Sequence, residues 1–166
     1  MQRRALLTLA SLPMLAPLAG HALEAPAGPA VLSLSGQIRL TNHGASALFD
    51  MAMLERLPQT SFSTRTPWYP QARKFTGPLL RELLAAVGGH GNQLHAIALN
   101  DYRVDIPLDD IRRHDVLLAR LLDDKPMAVR DKGPLFIIYP FDRDASLRNA
   151  LYYSRCAWQL KAIKVQ

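Results

Sequence analysis

At 166 residues, 49% of them hydrophobic and 20% charged, the chain is one domain's worth of polypeptide with enough apolar residues for a real core. Its net charge of +6 is spread without a Lys/Arg block, which argues against nucleic acid as a partner and for a small anion or an acidic protein surface. The lone cysteine, Cys156, excludes an intramolecular disulfide; with no CxxC and no helix-spaced pair among His43, His90, His95 and His114, a zinc site has no support either.

The first residues read as an export signal, 1–22. Arg3 and Arg4 make a positive start, Ala5 to Leu18 a mostly apolar stretch, and Gly20-His21-Ala22 a small-x-small cleavage site. Pro13 and Pro17 break the apolar stretch, which is short for a membrane span. The Arg3-Arg4 pair fits a twin-arginine signal and also a general secretory one. Cleavage near Ala22 places the mature protein in the periplasm with no membrane span and takes its net charge to +4.

Residues 23–30, with Pro26, Gly28 and Pro29, read as an extended leader to a domain over 31–166. Val31 to Leu40 alternates as a strand with a bend at Gly36, and Thr41 to Gly44 is turn chemistry. Ser46 is set to cap a helix from Ala47 to Leu57, with Asp50 near its first turn and Pro58 ending it. A hydroxyl-rich strand from Gln59 leads to a rigid aromatic loop bracketed by Pro67 and Pro70. Thr76-Gly77-Pro78 reads as a capped helix start, with apolar residues at 79, 80, 83, 84 and 87 and Gly88-Gly89 at the end.

Leu94 to Leu99 and Tyr102 to Ile106 are two strands joined by an Asn100-Asp101 turn. Pro107 with Asp109 and Asp110 opens a short helical turn; Val116 to Leu122 is an apolar strand, and Asp123 to Pro126 a turn. Arg130-Asp131-Lys132-Gly133-Pro134 then feeds a buried strand, Leu135 to Tyr139. Its charges suit an anion site and equally a salt-bridged turn. A polar segment, Asp142 to Asn149, precedes a last strand from Ala157 to Val165. Seven or eight short strands and two or three helices in mixed order make an α+β domain with mixed, largely antiparallel sheets.

No Gly-x-Ser-x-Gly elbow and no phosphate-cradling loop is present, and Ser61 and Ser63 have no partnered base in view. The carboxylate pairs Asp109/Asp110, Asp123/Asp124 and Asp142/Asp144 fall in turns and helix starts, where capping is their role. What remains is a set of cations, amides and aromatics at strand ends: Arg65, Trp68, Asn100, Asp101, Tyr102, Arg130, Lys132 and Tyr139. Gathered at one sheet edge they make a ligand-binding site for an anion; the competing reading pairs Arg130 and Asp131 with each other or with Asp101 as a structural lock.

Four phrases occur together: Phe75 to Leu84; Ala98 to Tyr102 with Ile106-Pro107; Met127 to Leu135 with Tyr139-Pro140; and Trp158 to Ile163. On these the chain resembles small exported members of the oxidoreductase molybdopterin-binding domain family, whose fold is that of the sulfite oxidase catalytic domain. The resemblance implies mixed sheets with a pterin pocket at the sheet edge. It also implies a molybdenum-ligating cysteine in the loop before Phe75, yet Thr60 to Pro70 has Ser63 or Thr64 near that place and no cysteine. A neutral hydroxyl does not replace a soft anionic thiolate, and Cys156 reads as a buried structural thiol.

The expectation is therefore a molybdopterin-domain-like protein without the metal thiolate, with no resident cofactor, binding a small anionic ligand or a periplasmic or membrane-anchored partner in a sensing or accessory role. The alternative is a molybdopterin-dependent oxidoreductase with a non-cysteine metal environment.

Overall fold

The computed structural model of the protein describes residues 23–166; the export signal read at 1–22 lies outside the described residues. In chain order the elements are β1 (Ala30–Gly36), β2 (Ala47–Asp50), α1 (Met51–Arg56), β3 (Gln59–Thr66), β4 (Tyr69–Pro78), α2 (Leu80–Ala86), β5 (Gln93–Ala98), β6 (Arg103–Pro107) and α3 (Leu108–Arg113). Then come β7 (Leu117–Ala119), β8 (Leu121–Leu122), β9 (Lys125–Pro126), β10 (Phe136–Ile138), α4 (Ala150–Arg155), β11 (Ala157–Trp158) and β12 (Leu160–Val165), with short 3-10 turns at Val129–Asp131 and Ala145–Leu147.

The strands form three sheets, ordered β2-β1-β12-β5-β6, β11-β10-β7 and β3-β4-β8-β9. Among the described residues only the β1–β12 pairing is parallel. The architecture is α+β, with mixed and antiparallel sheets and four α-helices among the described residues. None of these helices is long and apolar enough to cross a membrane.

Two expected strands, Val116 to Leu122 and Ala157 to Val165, are each divided between sheets, and together with β2, β4 and β9, which were not expected as strands, they raise the count above seven or eight. Between β7 and β8, Arg120 donates its N–H to the Thr76 carbonyl and passes the chain from one sheet to the next. Between β11 and β12, Gln159 takes a positive φ of 53° and does the same. Apolar periodicity reports burial, and both halves of each run are inward-facing, so the change of sheet leaves no mark in the pattern.

Ala47 to Asp50 is a strand, not the first turn of a helix, and Ser46 caps nothing; it bridges back to His43. The cap is Asp50, whose carboxylate accepts the N–H of Met53 at 2.8 Å and those of Ala27 and Gly28, also at 2.8 Å. Thr76-Gly77-Pro78 likewise stays in β4. Gly77 is required there, since a Cβ would run into the Leu118 carbonyl where β4 passes β7. Helix α2 starts at Leu80 with no side-chain cap; the Val116 carbonyl accepts the Leu80 N–H instead. Tertiary structure supplies a partner that the local sequence does not show.

The core unites Leu32, Leu34 and Phe49 of the first two strands with Leu80, Leu83 and Leu84 of α2 and Leu94, Ile106 and Ile163 of the same large sheet. It continues into Phe75, Phe136, Ile137 and Tyr139, all buried. Asp110 is a buried carboxylate rather than a helix cap: it accepts from the Tyr139 hydroxyl at 2.8 Å and from Arg155 Nη1 at 2.7 Å. Burial, reinforced by the Asp110 charge, pushes the Tyr139 phenol far above its ordinary pKa.

Three substitutions read the stability of these contacts. The N–H groups of Gly28, Met53 and Ala27 hold the Asp50 carboxyl below the usual carboxylate range. Its contribution is complete above the unfolded-state pKa and is lost as pH falls through the depressed folded value. Asp50→Asn will therefore lower stability at neutral pH and flatten its decline as pH falls below about 4. Urea titrations across that range read the effect, and an unaltered acid limb would contradict it. Asp110→Asn takes the counter-ion from the part-buried Arg155, whose side chain is 17% exposed, and will cost about 2–3 kcal/mol. Tyr139→Phe, which removes one hydrogen bond, will cost about 1 kcal/mol.

Candidate functional site

The three sheets each send one turn or strand end to a common cavity. Trp68 comes from the β3–β4 turn, Asn100 and Tyr102 from the β5–β6 turn, and Trp158 from β11. Helix α4 and its C-terminal end add Tyr153, Ser154 and Cys156. The space enclosed is about 270 Å³.

Each wall has a local reason to be there. Pro67-Trp68 is a two-residue hairpin turn closed by the Thr66–Tyr69 pair, so the expected aromatic loop is a tight reversal and Tyr69 belongs to β4. The Asn100-Asp101 turn forms as the sequence expects: Asp101 takes a φ of 63°, and the Asn100 side chain accepts the Tyr102 N–H at 3.1 Å. Asn149 caps α4 by accepting the N–H groups of Leu151 and Tyr152, which fixes where Tyr153 projects. The Tyr102 hydroxyl donates to the Ser154 carbonyl at 2.7 Å and ties the turn to that helix.

Beside this cavity lies a cationic hollow of about 260 Å³, lined by Tyr69, Arg73, Leu122, Arg130, Asp131 and Lys132. The Val129–Asp131 turn ends at Lys132 with φ 73°, and the N–H groups of Asp131 and Gly133 both bond to the Ala128 carbonyl. Thus fixed, the Lys132 ammonium lies 5.1 Å from the centre of the Trp158 ring and 5.8 Å from that of Tyr69. It makes no ion pair among the described residues. Arg73 covers Tyr69 at 5.0 Å and also meets Asp123. Burial raises the Tyr69 phenol above its ordinary pKa, with Arg73 acting in the opposite direction.

The eight residues singled out from sequence do not form one cluster. Trp68, Asn100 and Tyr102 line the aromatic cavity; Arg130 and Lys132 line the cationic hollow next to it. Arg65 lies in a third depression, with Asp142, Arg148 and Tyr153. Asp101 accepts from Lys161 at 2.8 Å and lines neither of the first two spaces. Tyr139 is fully buried with its hydroxyl committed to Asp110, so it supports the fold and reaches no ligand. The structural lock between Arg130 and Asp131 is a 3.5 Å contact with the arginine side chain 88% exposed, which holds little.

Sequence reasoning missed Tyr153 and Ser154, which follow the polar segment Asp142 to Asn149 and belong to no expected element, and gave Trp158 and Tyr69 no site role. The signal that finds the first two is Asn149 ahead of Ala-Leu-Tyr-Tyr, an N-cap before a short helix.

The residues present do not fit a molybdenum cofactor held by a protein ligand. Thr64 is buried, accepts the Asp142 N–H at 3.0 Å and donates to the Arg65 carbonyl at 3.4 Å; Ser63 points out to solvent from β3. Cys156 does line the aromatic cavity, but burial pushes its thiol up and keeps it protonated at neutral pH, and a soft-metal ligand must be a thiolate. No group of three His, Cys, Asp or Glu side chains among the described residues is placed to hold a metal ion.

No family model matches the chain, and no curated protein matches it.

The state of Cys156 is directly checkable. The folded protein will resist iodoacetamide at mildly alkaline pH and take up one equivalent on unfolding in guanidinium. Ready labelling of the native protein would contradict a buried, protonated thiol.

Proposed function

We propose that the protein is an exported, molybdopterin-domain-like binding module that has no molybdenum thiolate and binds a small anionic ligand in a sensing or accessory role. The observation that carries this reading is Lys132. A left-handed turn holds its ammonium over two aromatic rings, without a carboxylate partner among the described residues. Side chains that serve only solubility are seldom fixed in this way, and an unpaired cation on an aromatic platform beside a cavity is a ready counter-charge for an anion. Arg130 and Arg73 add positive potential to the same hollow.

The lack of a fitting metal ligand separates this reading from an oxidoreductase. In Thr64 and Ser63 the place of the ligand is taken by a committed hydroxyl and an outward one. Export by the 1–22 segment, removal of that segment near Ala22 and residence in the periplasm complete the proposal.

Protein isolated from the periplasm of a cofactor-competent host will contain no stoichiometric molybdenum by mass spectrometry; stoichiometric metal would overturn the reading. Acetate, sulfate and phosphate will be compared for thermal stabilisation. At least one will raise Tm by a few degrees at concentrations well above its Kd. Lys132→Asn keeps a residue that tolerates the left-handed turn, removes the charge and will abolish that rise. A rise that survives this substitution would place the anion elsewhere.

A further inference from the structure

The aromatic cavity carries more information than its place beside Lys132. Four of its walls are rings, from Trp68, Tyr102, Tyr153 and Trp158, and no charged side chain among the described residues lines it. Its acceptors are largely spent, while the Tyr153 hydroxyl, the indole N–H groups of Trp68 and Trp158 and the Asn100 amide nitrogen make no hydrogen bond among the described residues. The Tyr102 hydroxyl donates to the Ser154 carbonyl, the Ser154 hydroxyl to the Leu151 carbonyl and the Cys156 thiol to the Tyr152 carbonyl. Asn100 already uses its amide oxygen on the Tyr102 N–H. A ligand rich in N–H groups would lose its water hydrogen bonds here and meet few free acceptors.

The rings also stand steeply to one another. Trp68 meets Trp158 at 69° with centroids 5.4 Å apart, and Tyr153 at 80° with centroids 6.1 Å apart. A flat ligand needs two parallel faces to slide between; steep walls suit a rounded group touched from several sides. The faces of Trp and Tyr are the negative part of their quadrupoles, and Trp158 already attracts the Lys132 ammonium to its ring. A group that is rounded, positive and without N–H donors is a quaternary ammonium.

We propose that the cavity among Trp68, Tyr102, Tyr153 and Trp158 takes the trimethylammonium head of a small zwitterion, with its carboxylate toward Lys132. A cavity of about 270 Å³ has room for such a head and a short acid tail. The carboxylate part rests on the anion reading above, while the head group rests on the cavity alone. The chemistry is binding only; no bond is made or broken.

Isothermal titration of the full mature chain with four probes tests both parts. Glycine betaine has the head and the acid, choline the head alone, acetate the acid alone, and 3,3-dimethylbutanoate the acid with an uncharged head of the same shape. Betaine will bind at least roughly tenfold more tightly than 3,3-dimethylbutanoate, the ratio expected from cation–π attraction in a partly dry site. Equal affinity for the two would overturn the ammonium assignment and leave the anion reading standing. Choline binding with no response to acetate, and betaine no tighter than choline, would uphold the head-group site and overturn the anion reading. Failure of both betaine and choline to bind at millimolar concentration would overturn the proposal. Tyr153→Phe will keep betaine binding and Tyr153→Leu will weaken it by roughly tenfold or more. Should the leucine variant not fold, the probe series on the unaltered chain decides by itself.

Discussion

Asp110 is a carboxylate held among apolar side chains, and the geometry of the cavity depends on its being satisfied. An unpaired charge there would cost several kcal/mol, so the fold must bring both donors to it. One is the Tyr139 hydroxyl at the end of β10, the other the Arg155 guanidinium at the end of α4. Three elements distant in sequence are thereby fixed around one oxygen. Helix α4 is six residues long and has little to hold it by propensity. Asn149 at its start and Arg155 at its end are what position it, and with it Tyr153, Ser154 and Cys156. The walls of the cavity are thus set from the core outward.

Gln159 plays the corresponding part on the opposite wall. Its N–H donates to the Lys132 carbonyl at 3.0 Å, and its side-chain amide to the Val129 carbonyl at 2.7 Å. Its own carbonyl accepts the Leu99 N–H at 2.8 Å. A single residue in a left-handed conformation therefore joins the cationic turn, the β5–β6 turn and two sheets. The Lys132 ammonium and the Trp158 ring are neighbours because the residue after Trp158 grips the turn that carries Lys132.

The sequence was legible where local chemistry decides the outcome. The Asn100-Asp101 turn, the buried strand after Pro134 and the stop at Pro58 follow from residues within a few positions, and the α+β class follows from their order. It was illegible where distant partners decide. Thr76-Gly77-Pro78 has the pattern of a helix start, yet Gly77 answers to the backbone of Leu118 and α2 borrows its first acceptor from Val116. Ser46 has the pattern of a cap, yet Asp50 has three N–H donors to satisfy and prevails. Asp110 looked like one more turn aspartate because a buried ion pair leaves no local trace. Among the candidate site residues, Trp68, Asn100, Tyr102, Arg130 and Lys132, all in or beside turns, reached a cavity, whereas Asp101 paired with Lys161 and Tyr139, at the end of an apolar run, went to the core as apolar runs do.

The chain contains two tryptophans, and both stand in the same cavity, 5.4 Å apart and at 69°. Every photon absorbed by an indole in this protein is therefore absorbed at that one place. Two coupled indole dipoles at a fixed oblique angle give a chiral pair, so the indole bands of the near-ultraviolet circular dichroism, apart from those of the tyrosines and phenylalanines, are a signature of this wall. The Lys132 ammonium above Trp158 also sets the local field on that chromophore. The protein carries its own optical gauge, read without any label, whose signal moves when the geometry of the cavity moves.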